Sequence, residues 1–140
     1  MAHSYIDFCD NHVLLRDGDI FVVMFPVAKA TESSSFSNGI VHIVDWWNSD
    51  GVNSGSGCID IPFDKLLNEE SSCELSSLLL KIGESFKSDP DLATGESLNS
   101  LVGGSRFKFL DQDHMRVASV FEEIAGLLVA SSNATKGTAD

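Results

Sequence analysis

The chain has 140 residues, 43% of them hydrophobic, and its 21 acidic and 9 basic side chains give a formal net charge of −12. That length and apolar content suit one domain with a real core and exclude global disorder, while no window approaches the roughly 18–20 apolar residues of a membrane span. Such acidity repels nucleic acid and anionic membranes; it either speeds the encounter with a basic partner or simply confers solubility.

The acidity is uneven, with eleven acids and three bases in residues 1–70 against ten and six in residues 71–140. Cys9, Cys58 and Cys73 are odd in number and widely spaced, with no C-x-x-C pair. Reduced thiols fit this better than a disulfide framework, although one disulfide plus a free thiol stays open. The stretch MAHSYIDFCDNH lacks a basic region followed by an apolar one, so no secretory signal is expected and a cytoplasmic location follows. Asn133-Ala134-Thr135 is then a chance sequon.

In chain order, residues 5–8 predict a short edge strand. Residues 12–15 and 20–25 predict two better strands, flanking Arg16-Asp17-Gly18-Asp19, where Asp-Gly signals a hairpin turn. Pro26 ends the second of them or places it at an edge. Residues 30–39 read as a serine-rich loop, residues 40–47 (IVHIVDWW) as a third strand, residues 48–57 as a glycine-bearing flexible loop and residues 58–61 as a short strand closed by Pro62. Leu75, Leu78, Leu79, Ile82 and Phe86 recur at three- and four-residue steps. They predict a helix over 73–87, capped by Ser71 or Ser72, weakened at Gly83 and stopped at Ser88-Asp89-Pro90. Residues 89–104 read as a loop and RFKFL, 106–110, as a strand with Phe107 and Phe109 inward. Asp111 or Asp113 caps a final helix whose stripe is Val117, Val120, Phe121, Ile124, Leu127 and Leu128; residues 131–140 read as a flexible tail. The expected fold is therefore a single α+β domain over 1–130: an antiparallel sheet of about four to five strands with two amphipathic helices packed on one face.

Catalytic chemistry finds little support. Cys9-Asp10-Asn11-His12 has C-x-x-H spacing, with His3, His42, Cys58 and Cys73 elsewhere, but no second close pair completes a zinc site. Cys9 or Cys58 activated by His12, His42 or His114 is the nucleophilic alternative, with Gly55-Ser56-Gly57 offering amides to an oxyanion, and it lacks any local signature. Phosphate-loop, dinucleotide, zincin and hydrolase motifs are absent from the sequence. Arg106 and Lys108 are too isolated for nucleic-acid binding. The expectation is thus no cofactor, no metal and no enzyme activity.

The aromatic and acidic residues around the third expected strand remain. Trp46 and Trp47 sit among Asp45 and Asp50, with Asp60 and Asp64 in the next strand. Tryptophan is enriched at binding hot spots, and carboxylates select a basic partner. Neighbours on a strand face opposite ways, so one indole is expected in the core and the other is either packing or a contact anchor.

In size, acidity, α+β character and lack of catalytic motifs, the whole chain resembles bacterial immunity proteins of contact-dependent and polymorphic toxin systems. The resemblance carries over no individual residue. It implies a small cytosolic protein that binds a cognate toxin domain, often a nuclease, and blocks it; a monomer or a dimer is expected. A small acidic chaperone for a secreted effector, or a phage-type inhibitor of a nucleic-acid-binding complex, shares the profile.

Overall fold

The computed structural model describes residues 2–102 and 108–139, the last nine as backbone. Strand structure among them is confined to one antiparallel pair, β1 (His3–Phe8) and β2 (Asn11–Arg16), in register from His3 opposite Arg16 to Phe8 opposite Asn11. The turn is Cys9-Asp10, with positive φ of 49° and 69°. That handedness matches the twist of the flanking strands, but in non-glycine residues it costs about 1–2 kcal/mol each, less for aspartate. An Asp64 carboxylate oxygen accepts the Cys9 amide at 2.8 Å and holds the turn. The inner face of the hairpin buries Ile6, Phe8 and Leu15.

The other described elements are helical. α1 (Asp17–Thr31) starts directly after β2, with Asp17 and Asp19 in its first turn, where carboxylates meet the positive end of the helix dipole. Ile20, Val22, Val23, Met24, Pro26 and Val27 are all buried, so this helix is apolar on nearly every side. It touches α2 (Asn38–Ser49), α4 (Glu69–Ser88), α5 (Gly95–Val102), α6 (His114–Ala139) and β2, and is the hub of the core. Its central place tolerates Pro26, which removes one backbone donor from the helix. A one-turn helix, α3 (Phe63–Leu66), and short 3₁₀ turns at Gly51–Asn53 and Pro90–Ala93 complete the described elements.

The largest helix contact is between α4 and α6. Leu75, Leu79 and Phe86 of α4 and Val117, Phe121, Ile124 and Leu128 of α6 are buried, and Phe86 stacks on Phe121 at 5.4 Å. Gly83 sits at the closest approach: a Cβ there would stand 3.1 Å from the Phe121 Cβ. Ser76 adds a buried hydrogen bond from its hydroxyl to the Ala125 carbonyl at 2.9 Å. At the rim, Lys87 reaches Glu122 at 3.0 Å and Glu84 at 3.8 Å. The bond to Glu122, then the charges of both carboxylates, raise the Lys87 pKa above its ordinary value.

One carboxylate ties three elements together. Asp19, with only 11% of its side chain exposed, receives Arg116 of α6 at 2.6 Å and Arg16 of β2 at 3.1 Å. A second, Asp17, accepts the Ser4 hydroxyl and the Gly57 amide, both at 2.7 Å, which fixes residues 57–59 along β1.

This architecture overturns the expected α+β sheet of four to five strands. Residues 20–25 belong to α1 and residues 40–47 to α2, while residues 58–61 pair with no strand. The hairpin expected at Arg16-Asp17-Gly18-Asp19 is instead the start of α1, and the real turn lies eight residues earlier. The physical reason is that short β-branched runs serve a buried helix as well as a buried strand. Residues 89–102 hold a 3₁₀ turn and α5 rather than a loop. Of the strand expected over 106–110, residues 106 and 107 lie outside the described residues and 108–110 are not paired in a strand. α4 starts earlier than expected. Its cap is Asn68, which accepts the Ser71 amide at 2.8 Å while Ser71 Oγ accepts the Asn68 amide at 2.9 Å. It ends at Ser88, before Asp89-Pro90, as expected. α6 continues as backbone helix to Ala139, across residues read as a tail.

Candidate partner-binding surface

On a helix, successive residues are about 100° apart, so Trp46 and Trp47 point neither the same way nor oppositely. Ile40, Ile43, Val44 and Trp47 form the buried stripe of α2. Trp47 is wholly buried, edge-on to Phe21 at 5.2 Å and Phe25 at 5.7 Å. Its Nε1 finds no hydrogen-bond partner. Trp46 flanks the stripe, half-buried, with its ring 6.2 Å from that of Trp47. Both indoles close over Gly51: a Cβ there would lie 2.6 Å from a ring atom of each. The glycine after the paired tryptophans is thus needed for close approach. Trp47 is a core residue, and Trp46 is the indole left with a solvent-facing part.

The acidic residues named with them serve different places. Asp45 is exposed on α2 and lines a groove of about 350 Å³ between α1, α2 and α5. Apolar side chains of Phe25, Ala28, Val41, Val44, Leu101 and Val102 wall this groove, and Lys29, Thr31, Glu32, Asp45 and Asn48 supply its polar groups. Lys29 is paired with Glu32 at 3.2 Å. Asp50 is exposed at the C-terminal end of α2, where its amide bonds the Trp46 carbonyl at 2.8 Å. Asp60 is exposed between buried Ile59 and Ile61, and Asp64 is occupied at the hairpin turn. The strand expected to carry Asp60 and Asp64 does not form.

No family model, curated protein or solved structure matches this chain. The surface therefore rests on its own geometry.

The residues considered for metal and nucleophilic chemistry have other surroundings. Cys9, Cys58 and Cys73 are free and exposed. Among the described residues no three His, Cys, Asp or Glu side chains converge on a metal position. His12 lies edge-on to Tyr5 at 5.2 Å, and His114 Nδ1 is 2.9 Å from the Phe86 carbonyl, which requires that nitrogen to carry the proton. The Gly57 amide, offered above to an oxyanion, already serves Asp17. Among the described residues no helix is long and apolar enough to cross a membrane.

Sequence reasoning passed over several exposed apolar side chains. Tyr5 and Leu14 are a cross-strand pair on the outer hairpin face, 56% and 51% exposed; Leu110 is 82% and Met115 50% exposed. Alternation along β1 and β2 signals the first pair. No pattern signals Leu110, because RFKFL reads as a strand with Leu110 at its end.

Proposed function

We propose that this chain is a protein-binding inhibitor, in the manner of toxin-immunity proteins, that docks on a basic partner and covers its working surface. The supporting observation is the groove beside Asp45. It sets apolar side chains, Val41 among them at 40% exposed, beside the exposed Asp45 carboxylate, with Glu32 paired to Lys29, in a chain of net charge −12. Apolar contact supplies affinity and the carboxylates supply steering and selection against acidic surfaces.

Co-expression with a toxic product encoded beside this chain's gene tests the reading. Growth should be restored and the two proteins should form a complex whose association slows as salt rises. Asp45→Lys should slow association by about tenfold at low salt with little change in dissociation. The reading is refuted if the neighbouring product is harmless alone, or if it stays lethal when this protein is present and folded.

A further inference from the structure

A two-stranded hairpin has two edges, and the two edges of this one differ. The Asp17 amide bonds the Ala2 carbonyl at 3.1 Å, and hydrogen-bonded pairs alternate along an antiparallel ladder. Ser4–Leu15, Ile6–Val13 and Phe8–Asn11 are therefore the bonded pairs, and the amides and carbonyls of His12 and Leu14 point away from β1. β1 is flanked by residues 57–64: the Ile59 amide reaches Ser4 Oγ at 3.1 Å, Phe63 lies edge-on to Phe8 at 6.4 Å, and Asp64 holds the Cys9 amide at 2.8 Å. β2 has no such flank. Among the described residues nothing bonds the backbone of His12 or Leu14 on that side. Both residues are exposed, and Val13, on the inner face between them, is only half-buried.

Proteins normally blunt an open strand edge with lysine, proline, a bulge or an inward-pointing charge. β2 (NHVLLR) has no lysine, proline or acidic residue, and its register with β1 runs without a bulge. Its six residues are an ordinary strand length. In a chain of net charge −12 it is also a stretch free of carboxylates. Two copies of this strand, laid antiparallel about a two-fold axis at Val13, answer each of these features. His12 of each copy pairs with Leu14 of the other, and each pair exchanges two backbone hydrogen bonds between groups otherwise left to water. Val13 meets Val13 on the inner side, covering the exposed part of each. On the outer side Tyr5 and Leu14 of the two hairpins join through His12, which is edge-on to Tyr5 at 5.2 Å. The same register sets Asp10 opposite Arg16 of the other copy, so unlike charges meet at both ends of the joined strands. Arg16 already faces Asp19, so that contact aligns the strands while the backbone and Val13 carry the pairing. Such self-complementarity names the occupant of the edge.

We propose that this protein forms a two-fold homodimer by antiparallel β2–β2 pairing centred on Val13, giving a four-stranded sheet of order β1-β2-β2-β1. The proposal is independent of the Asp45 groove, which is built from α1, α2 and α5, and of what docks there. Its salt dependence has the opposite sign to that of a basic partner. Two copies of net charge −12 repel each other, so screening tightens the dimer.

Sedimentation equilibrium of the full chain over about 1 μM to 1 mM measures the mass. It should rise from 15.1 kDa toward twice that value, and the dissociation constant should fall about tenfold between roughly 20 and 500 mM salt. Hydrogen exchange followed by NMR needs no variant: the His12 and Leu14 amides should be protected at high protein concentration and exchange fast at low, while Val13 and Leu15, bonded to β1, stay protected at both. In dimers mixed from isotope-labelled and unlabelled chains, a filtered NOE should connect the two Val13 Hα atoms. Leu14→Lys places a lysine at an exposed edge position and leaves the β1 ladder alone, so it should weaken the dimer at least about tenfold with Val13 and Leu15 protection unchanged. A monomer mass throughout the concentration range, a dimer whose His12 and Leu14 amides exchange as fast as in the monomer, or a dimer indifferent to Leu14→Lys would each overturn the proposal. Protection of those amides only when a basic protein partner is added would overturn it too, and would make the edge a seat for that partner's strand.

Discussion

Trp47 offers the sharpest test of the packing, because its size and its indole N–H pull in opposite directions. Trp47→Ala removes a wholly buried side chain together with its edge-on contacts to Phe21 and Phe25. Truncation of a core aromatic costs about 3–5 kcal/mol, and the two edge-on ring contacts place Trp47 toward the upper end. That is a large part of the roughly 5–15 kcal/mol that stabilises a typical domain. Trp47→Phe should behave differently. The void is roughly 40 Å³, which at about 24 cal/mol per Å³ costs about 1 kcal/mol, and lost transfer energy adds about as much. Against this, the substitution deletes a buried donor without a partner, whose desolvation costs about 1–3 kcal/mol. The net change should lie within about 1 kcal/mol of zero. Trp46→Ala, at a half-buried position, should cost about 1–2 kcal/mol. Urea unfolding followed by far-ultraviolet circular dichroism measures all three without relying on the substituted fluorophore. A Trp47→Phe variant destabilised by more than about 3 kcal/mol would refute the opposing contribution of the orphan N–H.

Three other places in the fold give independent checks. Gly83→Ala gains up to about 1 kcal/mol of helix propensity, but the new methyl meets the Phe121 Cβ, which the α6 backbone fixes. A net loss of about 1–2 kcal/mol is expected by urea unfolding, and a gain would show that the α4–α6 contact yields easily. In the hairpin turn, Cys9→Asn with Asp10→Gly should stabilise by about 1 kcal/mol, since both residues hold positive φ and Cys9 is exposed; an unchanged or lowered thermal midpoint would count against that turn geometry. Asp19→Ala should cost about 2–3 kcal/mol, below the full value for a buried pair, because the Arg116 and Arg16 side chains are 35% and 37% exposed and can reach water. Arg116→Ala should cost less, since Arg16 still faces the carboxylate, and the reverse ranking would dismiss the network.

The elements legible in the sequence were those with one strong period and a definite stop. α4 and α6 show clear three- and four-residue stripes, and Asp89-Pro90 ends α4 where it should. β1 and β2 were legible as strands, but their pairing was not. The eye goes to Asp17-Gly18 as a turn, whereas the chain uses Cys9-Asp10, which has neither glycine nor asparagine and depends on Asp64 for support. That support comes from a residue 55 positions away and leaves no local trace. α1 hid for another reason. A helix covered by neighbours on nearly all sides needs no polar face, so IFVVMF shows no helical period and its β-branched residues suggest a strand.

α2 is the instructive case, since its helical signal was present. Ile40, Ile43, Val44 and Trp47 follow the i, i+3, i+4, i+7 pattern, and they are the residues buried. A strand reading instead buries Ile40, His42, Val44 and Trp46, placing a histidine inside and leaving Trp47 on the far face. The polar positions decide between the two: His42 and Asp45, three apart, are both exposed on the helix, and only the helical period puts both in water while keeping Trp47 in the core. The same assignment changes the function argument. Once Trp47 is spent on the core and Trp46 is half-covered, the paired tryptophans no longer offer a full surface anchor. The apolar contact of any basic partner then has to come from less conspicuous residues, such as Val41 at the groove.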